Sequence, residues 1–249
     1  MSEENNIISG RNPVFEAIKA RVEINSILVS RGSTEGAVKA IISTAKKRKI
    51  PVKEVSPVKL DSMVPDGHHQ GVVAVISPIK YKSVNDLFKI ADEKGEDPLF
   101  VILDGILDVH NLGAIARTAE ACGAHGLIIP KHRAASVTST SVKSSAGALM
   151  HIPVCRVTNI SDTIDALKKR NVWIAGADMK GSSPYYKANL RGGLAVVIGG
   201  EGKGIRRLVL EKCDFTVSIP MKGRMSSLNA SNAAAVILFE VLRQRESNG

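Results

Sequence analysis

Short apolar runs rich in Val, Ile and Leu recur along the chain, and the stretches between them repeat apolar residues at helical spacing. Runs at 26–29, 52–55 and 71–76 predict strands, with helices predicted over 14–20, 35–49 and 57–63. In 35–49, Val38, Ile41, Ile42 and Ala45 fall on one face, the pattern of an amphipathic helix. From residue 98 the alternation resumes, with strands at 99–103, 126–129, 154–157, 172–177, 195–198 and 215–219 and helices at 112–122 and 160–170. A run apolar at every position, as 195–198 is, suits a strand covered on both faces. Regular alternation of strand and helix suits a parallel sheet between helices. The last segment, 228–245, is apolar nearly all round, so its helix belongs in a core or an interface. Residues 78–97 are polar and charge-mixed apart from a short amphipathic piece at 84–91, and read as a linker. The expected fold is α/β throughout: a small α/β domain over 1–77, the linker over 78–97, and a larger parallel-sheet domain over 98–249.

Two strand ends in the second domain carry unusual loops. After 195–198 come Gly199, Gly200, Gly202 and Gly204 around one carboxylate, Glu201. So many glycines let a backbone turn tightly and approach a flat ligand, although such clusters also serve as plain punctuation. Two familiar phosphate loops do not fit. A P-loop needs Ser or Thr after its Gly-Lys, where Gly204 stands, and a glycine where Val197 stands. A dinucleotide fingerprint needs a third glycine where Ile205 or Arg207 stands. The strand at 215–219 ends in Pro220-Met221 and leads to Lys222-Gly223-Arg224 and then to a Ser/Asn-rich stretch, 226–232. Open α/β sheets bind ligands beyond the carboxyl ends of their strands, so two consecutive special loops mark a ligand site.

Composition narrows the partner. At 249 residues, 44% hydrophobic and 23% charged, the chain has ample core for one large or two modest domains. No apolar run approaches the ~20 residues a membrane span needs. The first ten residues lack a signal-peptide pattern, so a cytoplasmic protein is expected. Three widely spaced cysteines and six histidines show no metal spacing; the cysteines read as reduced core residues and no metal is expected. The net charge of +10 divides into +2 over residues 1–97 and +8 over 98–249. A basic second half points to a polyanion, nucleic acid first, against the plainer reading of a basic solvated surface. Aromatics are only 4%, and no RRM-type stacking motif is present.

Three stretches in order, N-L-G-A-I-A-R-T-A-E-A-C-G-A from Asn111, I-G-G-E-G-K-G from Ile198, and I-P-M…S-S-L-N-A-S-N-A from Ile219, closely resemble the motifs of the SpoU (TrmH) branch of the SPOUT methyltransferases. The first domain, with H-x-Q-G-V at 68–72 spelled H-H-Q-G-V, resembles the substrate-binding domain of ribosomal-RNA members of that family. The resemblance implies a deep trefoil knot holding S-adenosylmethionine, methyl transfer to a ribose 2′-hydroxyl of RNA, and a homodimer packed through the C-terminal helix. It implies Asn111, Arg117, Glu201 and Asn229 as catalytic residues. It assigns the donor to Ile198, Gly199, Gly200, Gly204, Ile219, Met221, Ser227 and Leu228, and RNA contact to Arg11, His69, Lys222 and Arg224. A further segment, through Ser145-Ala146-Gly147, is implied to line the site. The layout is most similar to members modifying a guanosine of large-subunit (23S) ribosomal RNA. A tRNA-modifying enzyme and a non-catalytic RNA-binding scaffold are the alternatives.

Single residues also have plainer readings. Asn111 stands where an N-cap would satisfy a free backbone N–H. Lys46–Lys49 form a cationic helix end, favourable without any RNA. Glu201 is read as able to accept from Arg117 or from the partner subunit, or to serve inside its own turn. A guanidinium is a poor base near neutral pH, so Arg117 reads better as a fork clamping a phosphate.

Overall fold

A computed structural model of the chain describes residues 6–33, 36–64, 67–224 and 227–247. It divides into two units: Met1–Lys80 with Ser136–Thr140, and Tyr81–Ala135 with Ser141–Gly249.

In the first unit the elements run β1 (Ile7–Ser9), α1 (Arg11–Lys19), β2 (Ile24–Ser30), α2 (Gly36–Lys47), β3 (Val52–Val55), α3 (Pro57–Met63) and β4 (Val72–Ile76). Glu35, expected as the first residue of α2, lies outside the described residues. The sheet order is β1-β4-β2-β3, with β4 antiparallel to both neighbours and β3 parallel to β2. Alternation sorts the side chains: Ile27, Val29, Val72 and Ala74 pack under α1 and α2, while Leu28 and Val73 meet Leu60 of α3 on the other face. Strand β1 was not foreseen; at three residues it is too short to show a period.

The second unit continues with α4 (Val84–Lys94), β5 (Leu99–Asp104), α5 (Val109–Ala121), β6 (Gly126–Pro130), α6 (Ser139–Ser144), β7 (Val154–Val157), α7 (Ile160–Lys168), β8 (Trp173–Ala177), β9 (Ser183–Pro184), β10 (Leu194–Gly199), α8 (Arg207–Leu210), β11 (Phe215–Ser218) and α9 (Ala230–Glu246). All seven strands are parallel, in the order β7-β6-β5-β10-β8-β11-β9. The central strands β5 and β10 are buried apolar runs, as parallel strands covered by helices should be.

The stretch read as a linker is more than that. Within 78–97, α4 starts at a capping box, where Ser83 Oγ accepts from Asp86 N–H and the Asp86 carboxylate accepts from Ser83 N–H, and it ends at left-handed Gly95. Leu87, Phe88 and Ala91 are buried in the core of the second unit, and a Cβ at Gly126 would lie 2.6 Å from a Leu87 methyl. The polar outer face of the helix gave the stretch its linker-like composition.

The chain lays β8 and β9 in succession and later returns to place β11 between them. The link between β8 and β9 therefore wraps over β11, and the approach is so close that a Cβ on Gly181 would stand 2.5 Å from the Val217 carbonyl carbon. This is the mixed α/β fold, built on a seven-stranded parallel sheet, that the resemblance implies.

Burial pushes the thiols of Cys122 and Cys155 up to about 11 and that of Cys213 up to about 12, so all three are protonated thiols near neutral pH. Among the described residues no helix is long and apolar enough to cross a membrane.

Candidate active site

Beyond the carboxyl ends of β8, β10 and β11 lies a cavity of about 220 Å³. All eight residues assigned to the donor line it: Ile198, Gly199, Gly200 and Gly204 from β10 and its turn, Ile219 and Met221 after β11, and Ser227 and Leu228 before α9. Ser226, between them in the third motif, lies outside the described residues. The cavity is small beside the ~300–1,000 Å³ of ligand pockets generally, and Ile198, Ile219, Met221 and Leu228 give it an apolar part.

The glycines of the turn are required first by its own packing. A Cβ on Gly199 would stand 2.2 Å from the Gly204 carbonyl carbon, and one on Gly200 would stand 2.2 Å from the Gly105 oxygen. Gly202 and Gly204 have open space but φ of +77° and +63°. The tight turn then presents its backbone to the cavity.

Asp104, at the end of β5 and fully buried, clips this turn in place. Its carboxylate accepts from Arg206 N–H at 2.8 Å and from Arg206 Nε–H at 2.7 Å, and Arg206 Nη2 lies 2.6 Å away. Its carbonyl accepts from Gly200 N–H at 2.9 Å. Nothing local in the sequence marks Asp104 for this role.

At the turn, Glu201 Oε1 accepts from two side-chain amides, Asn111 Nδ2 at 2.9 Å and Asn229 Nδ2 at 2.8 Å. Three residues assigned to catalysis, drawn from α5, the glycine turn and the start of α9, thus meet at one oxygen. The N-cap reading of Asn111 is overturned: the cap of α5 is Asp108, which accepts from His110 N–H at 3.0 Å, and Asn111 is a buried residue inside the helix. Asn229 holds two roles, because its Oδ1 also caps α9 by accepting from Ser231 N–H at 2.8 Å.

Arg117 is not in this cluster. It lies six positions after Asn111 on α5, about 240° round the helix, and is exposed with no hydrogen bond or ion pair among the described residues. A Glu201–Arg117 pair is therefore not formed within one chain; the two amides take that place. Ser145 is likewise elsewhere: buried, its hydroxyl donates to Val142 O and accepts from Leu149 N–H, and it does not line the cavity.

Lys222 and Arg224 are exposed on the loop after β11. Arg11 and His69 lie in the first unit, joined by one loop. Arg11 N–H and Nε–H donate to the Gln70 side-chain and backbone oxygens, both at 3.1 Å, which leaves the end of its fork outward. His69 has both ring nitrogens engaged: Nδ1 accepts from Gly71 N–H at 2.9 Å, so Nε2–H donates to Asp61 at 2.9 Å. These bonds shape the loop that carries Gln70, the hydrogen-bond partner of Arg11.

The cavity also has a wall that sequence reasoning missed, Asp178 and Met179 after β8. The signal was available, a third strand end, but nothing local shows that β8 lies between β10 and β11.

Comparison with known proteins matches residues 98–239 to the SpoU rRNA Methylase family and residues 7–82 to the RNA 2′-O ribose methyltransferase substrate-binding domain. The chain belongs to the SpoU methylase family. A relative in Bacillus subtilis (strain 168), assigned by name to the TrmH family of tRNA/rRNA methyltransferases, is 44% identical over 249 residues, 100% of both chains. The crystal structure of the SpoU methyltransferase AviRb from Streptomyces viridochromogenes, in complex with the cofactor AdoMet, is similar with a TM-score of 0.62 and 30% identity, covering 97% of this chain and 90% of that one. The TrmH/SpoU tRNA-modifying enzyme of A. aeolicus is similar with a TM-score of 0.57 and 28% identity over 62% of this chain and 78% of that one. This SpoU protein is an S-adenosylmethionine-dependent RNA methyltransferase. The apolar slot and bare backbone turn fit a flat adenosyl group, and no side chain could be added at Gly199 or Gly200 without closing the turn on itself.

Proposed function

We propose that the protein methylates a ribose 2′-hydroxyl of RNA, a guanosine of large-subunit ribosomal RNA, as a homodimer. The observation that carries the ribose assignment is the Asn111–Glu201–Asn229 cluster at the cavity rim. Glu201 Oε1 is held by two amides, and Oε2, with no partner among the described residues, is free to accept from a ribose hydroxyl. When bound, S-adenosylmethionine supplies a methyl group on a cationic sulfur, so the protein's work is alignment of the acceptor hydroxyl. Ile198, Ile219, Met221 and Leu228 form the slot for the adenine, and the turn at 199–204 offers backbone groups to the rest of the donor. Lys222 and Arg224 hold RNA phosphates beside the mouth; Arg11, in the substrate-binding unit, also contacts RNA.

Arg117 serves the partner subunit's site. It is solvent-facing in a single chain, on a helix packed against α9, and α9 itself leaves Phe239 53% exposed. Pairing of these faces in a dimer would cover Phe239 and carry the Arg117 fork to an RNA phosphate. Sedimentation showing a stable monomer at micromolar concentration would remove this arrangement.

Ribosomal RNA is favoured over tRNA because the substrate-binding unit is present over 7–82, whereas the tRNA-modifying neighbour covers only 62% of the chain. The test is a map of 2′-O-methyl sites in RNA from cells lacking the protein. A missing guanosine methyl in 23S RNA is the expected result; a missing tRNA methyl overturns the ribosomal assignment. Calorimetry showing no S-adenosylmethionine binding at millimolar concentration would favour a scaffold.

A further inference from the structure

The turn after β9, Tyr185–Lys187, plays no part in the donor cavity or the glutamate cluster. Its placement is nonetheless set by the sheet. Strand β9 is the outermost strand and runs parallel to β11, with Val217 opposite Ser183 and Ser218 opposite Pro184. The turn therefore leaves the sheet at the same end as the loop 219–224 and the β8 turn at 178–180, which is the end that holds the cavity.

Those three segments share a chemistry. Tyr186 is 50% exposed and Met179 64% exposed. Lys180, Lys187, Lys222 and Arg224 are exposed, and none of their side chains has an ion pair or hydrogen bond among the described residues. The carboxylate beside them, Asp178, has Oδ1 occupied by Lys180 N–H at 2.7 Å.

The turn is also held firmly. Before it, Ser182 N–H donates to Thr216 Oγ1 at 2.9 Å and Ser182 Oγ donates to Thr216 O at 2.8 Å. After it, Gln244 of α9 accepts from Leu190 N–H at 2.9 Å and donates to Ala188 O at 3.0 Å. The rings of Tyr185 and Tyr186 meet edge to face with centroids 5.2 Å apart, so Tyr185 steadies Tyr186.

We propose that this turn is a second RNA contact, on which an unpaired base flanking the methylated nucleotide stacks on Tyr186 while Lys180 and Lys187 hold the adjoining phosphates. The inference rests on the RNA methyltransferase reading and extends the RNA path beyond Lys222 and Arg224 to the edge of the sheet. Exposed aromatic faces beside uncompensated cations are what single-stranded RNA requires. A protein partner is the poorer fit, because lysine is depleted at protein interfaces.

The test uses the full chain and a short unstructured RNA carrying one 2-aminopurine. Titration should quench the 2-aminopurine as it stacks. Tyr186→Ala should weaken RNA binding roughly five- to hundredfold, and Tyr186→Phe should bind as wild type, since the ring face and not the hydroxyl is used. Lys180→Ala combined with Lys187→Ala should reduce the slope of log affinity against log salt by about 1.4. S-adenosylmethionine binding by calorimetry should stay unchanged in all three. Wild-type RNA affinity and salt slope in both Tyr186→Ala and the lysine double variant overturn the proposal while leaving the RNA methyltransferase reading intact. Wild-type protein that binds no RNA defeats that reading and the proposal together. A change of sedimentation in Tyr186→Ala reassigns the turn to a subunit interface and also overturns it.

Discussion

Replacing Asp104 by Asn keeps the volume of the side chain and removes its charge, at a site 0% exposed and more than 100 residues from its partner in sequence. Three contacts are affected, at 2.8, 2.7 and 2.6 Å. A charge-assisted hydrogen bond contributes about 1.5–3 kcal/mol. The Arg206 side chain is 57% exposed, so its head regains water and its two contacts are discounted to ~0–1 kcal/mol together. The backbone N–H of Arg206 loses an anionic acceptor, and an Asn amide must set a donor against a donor on one side. The sum is ~1.5–4 kcal/mol, or roughly 3–16 °C in the transition that added S-adenosylmethionine shifts upward. Donor affinity should fall at least tenfold, about 1.4 kcal/mol, because the clip holds the turn that lines the cavity.

Arg206→Ala should cost as much as Asp104→Asn although Arg206 is the exposed partner, because it strands a buried carboxylate. The double variant should cost less than the two singles added, since a neutral amide needs no counter-charge. Calorimetry and thermal melting of the three variants check this. An Asp104→Asn protein melting within 2 °C of wild type and binding donor within twofold would refute the clip.

Further outcomes follow from other sites. Gly181→Ala should fail to fold or melt far below wild type, because backbone atoms of β11 cannot move aside; Gly202→Ala, in open space at positive φ, should cost only ~1 kcal/mol. Near-equal melting of the two variants would contradict the close crossing. Glu201→Ala should destabilise by ~1–3 kcal/mol by leaving the buried Asn111 amide without an acceptor, and Glu201→Gln by less, readable in urea melts. Bonds from Arg243 and Gln244 hold the Glu240 carboxyl down at about 2, against an ordinary 4.5. A depressed carboxyl stabilises above its unfolded value, so stability should decline as pH falls from 4.5 towards 2, and Glu240→Gln should flatten melting temperature across that window. Burial holds the His125 imidazole below 6.5, with Nδ1 accepting from Leu99 N–H and Nε2–H donating to Glu96. Stability should therefore also drop as pH falls below 6.5, and a His125→Gln protein showing the same drop would locate it elsewhere.

Much of the fold was legible because its signals are local. Strands β3 and β7 fall where their apolar runs predict, and the glycine turn and the Ser/Asn stretch stand out as contiguous text. What misled was also local. Asn111 looks like a cap because it precedes an apolar pattern, yet Asp108 one turn earlier takes that role and frees Asn111 to reach Glu201. The polar face of α4 hid three buried residues.

Periodicity and composition sufficed for the element types, the α/β class and two loops fit for a ligand, since each depends on residues within a turn or two of one another. Packing alone decided that β8 stands between β10 and β11, that Asp104 grips Arg206, and that two amides from opposite ends of the second unit share one glutamate oxygen. Those pairings join residues 28 to 102 positions apart, and the tertiary fold brings them together by steric fit that no short window of sequence records.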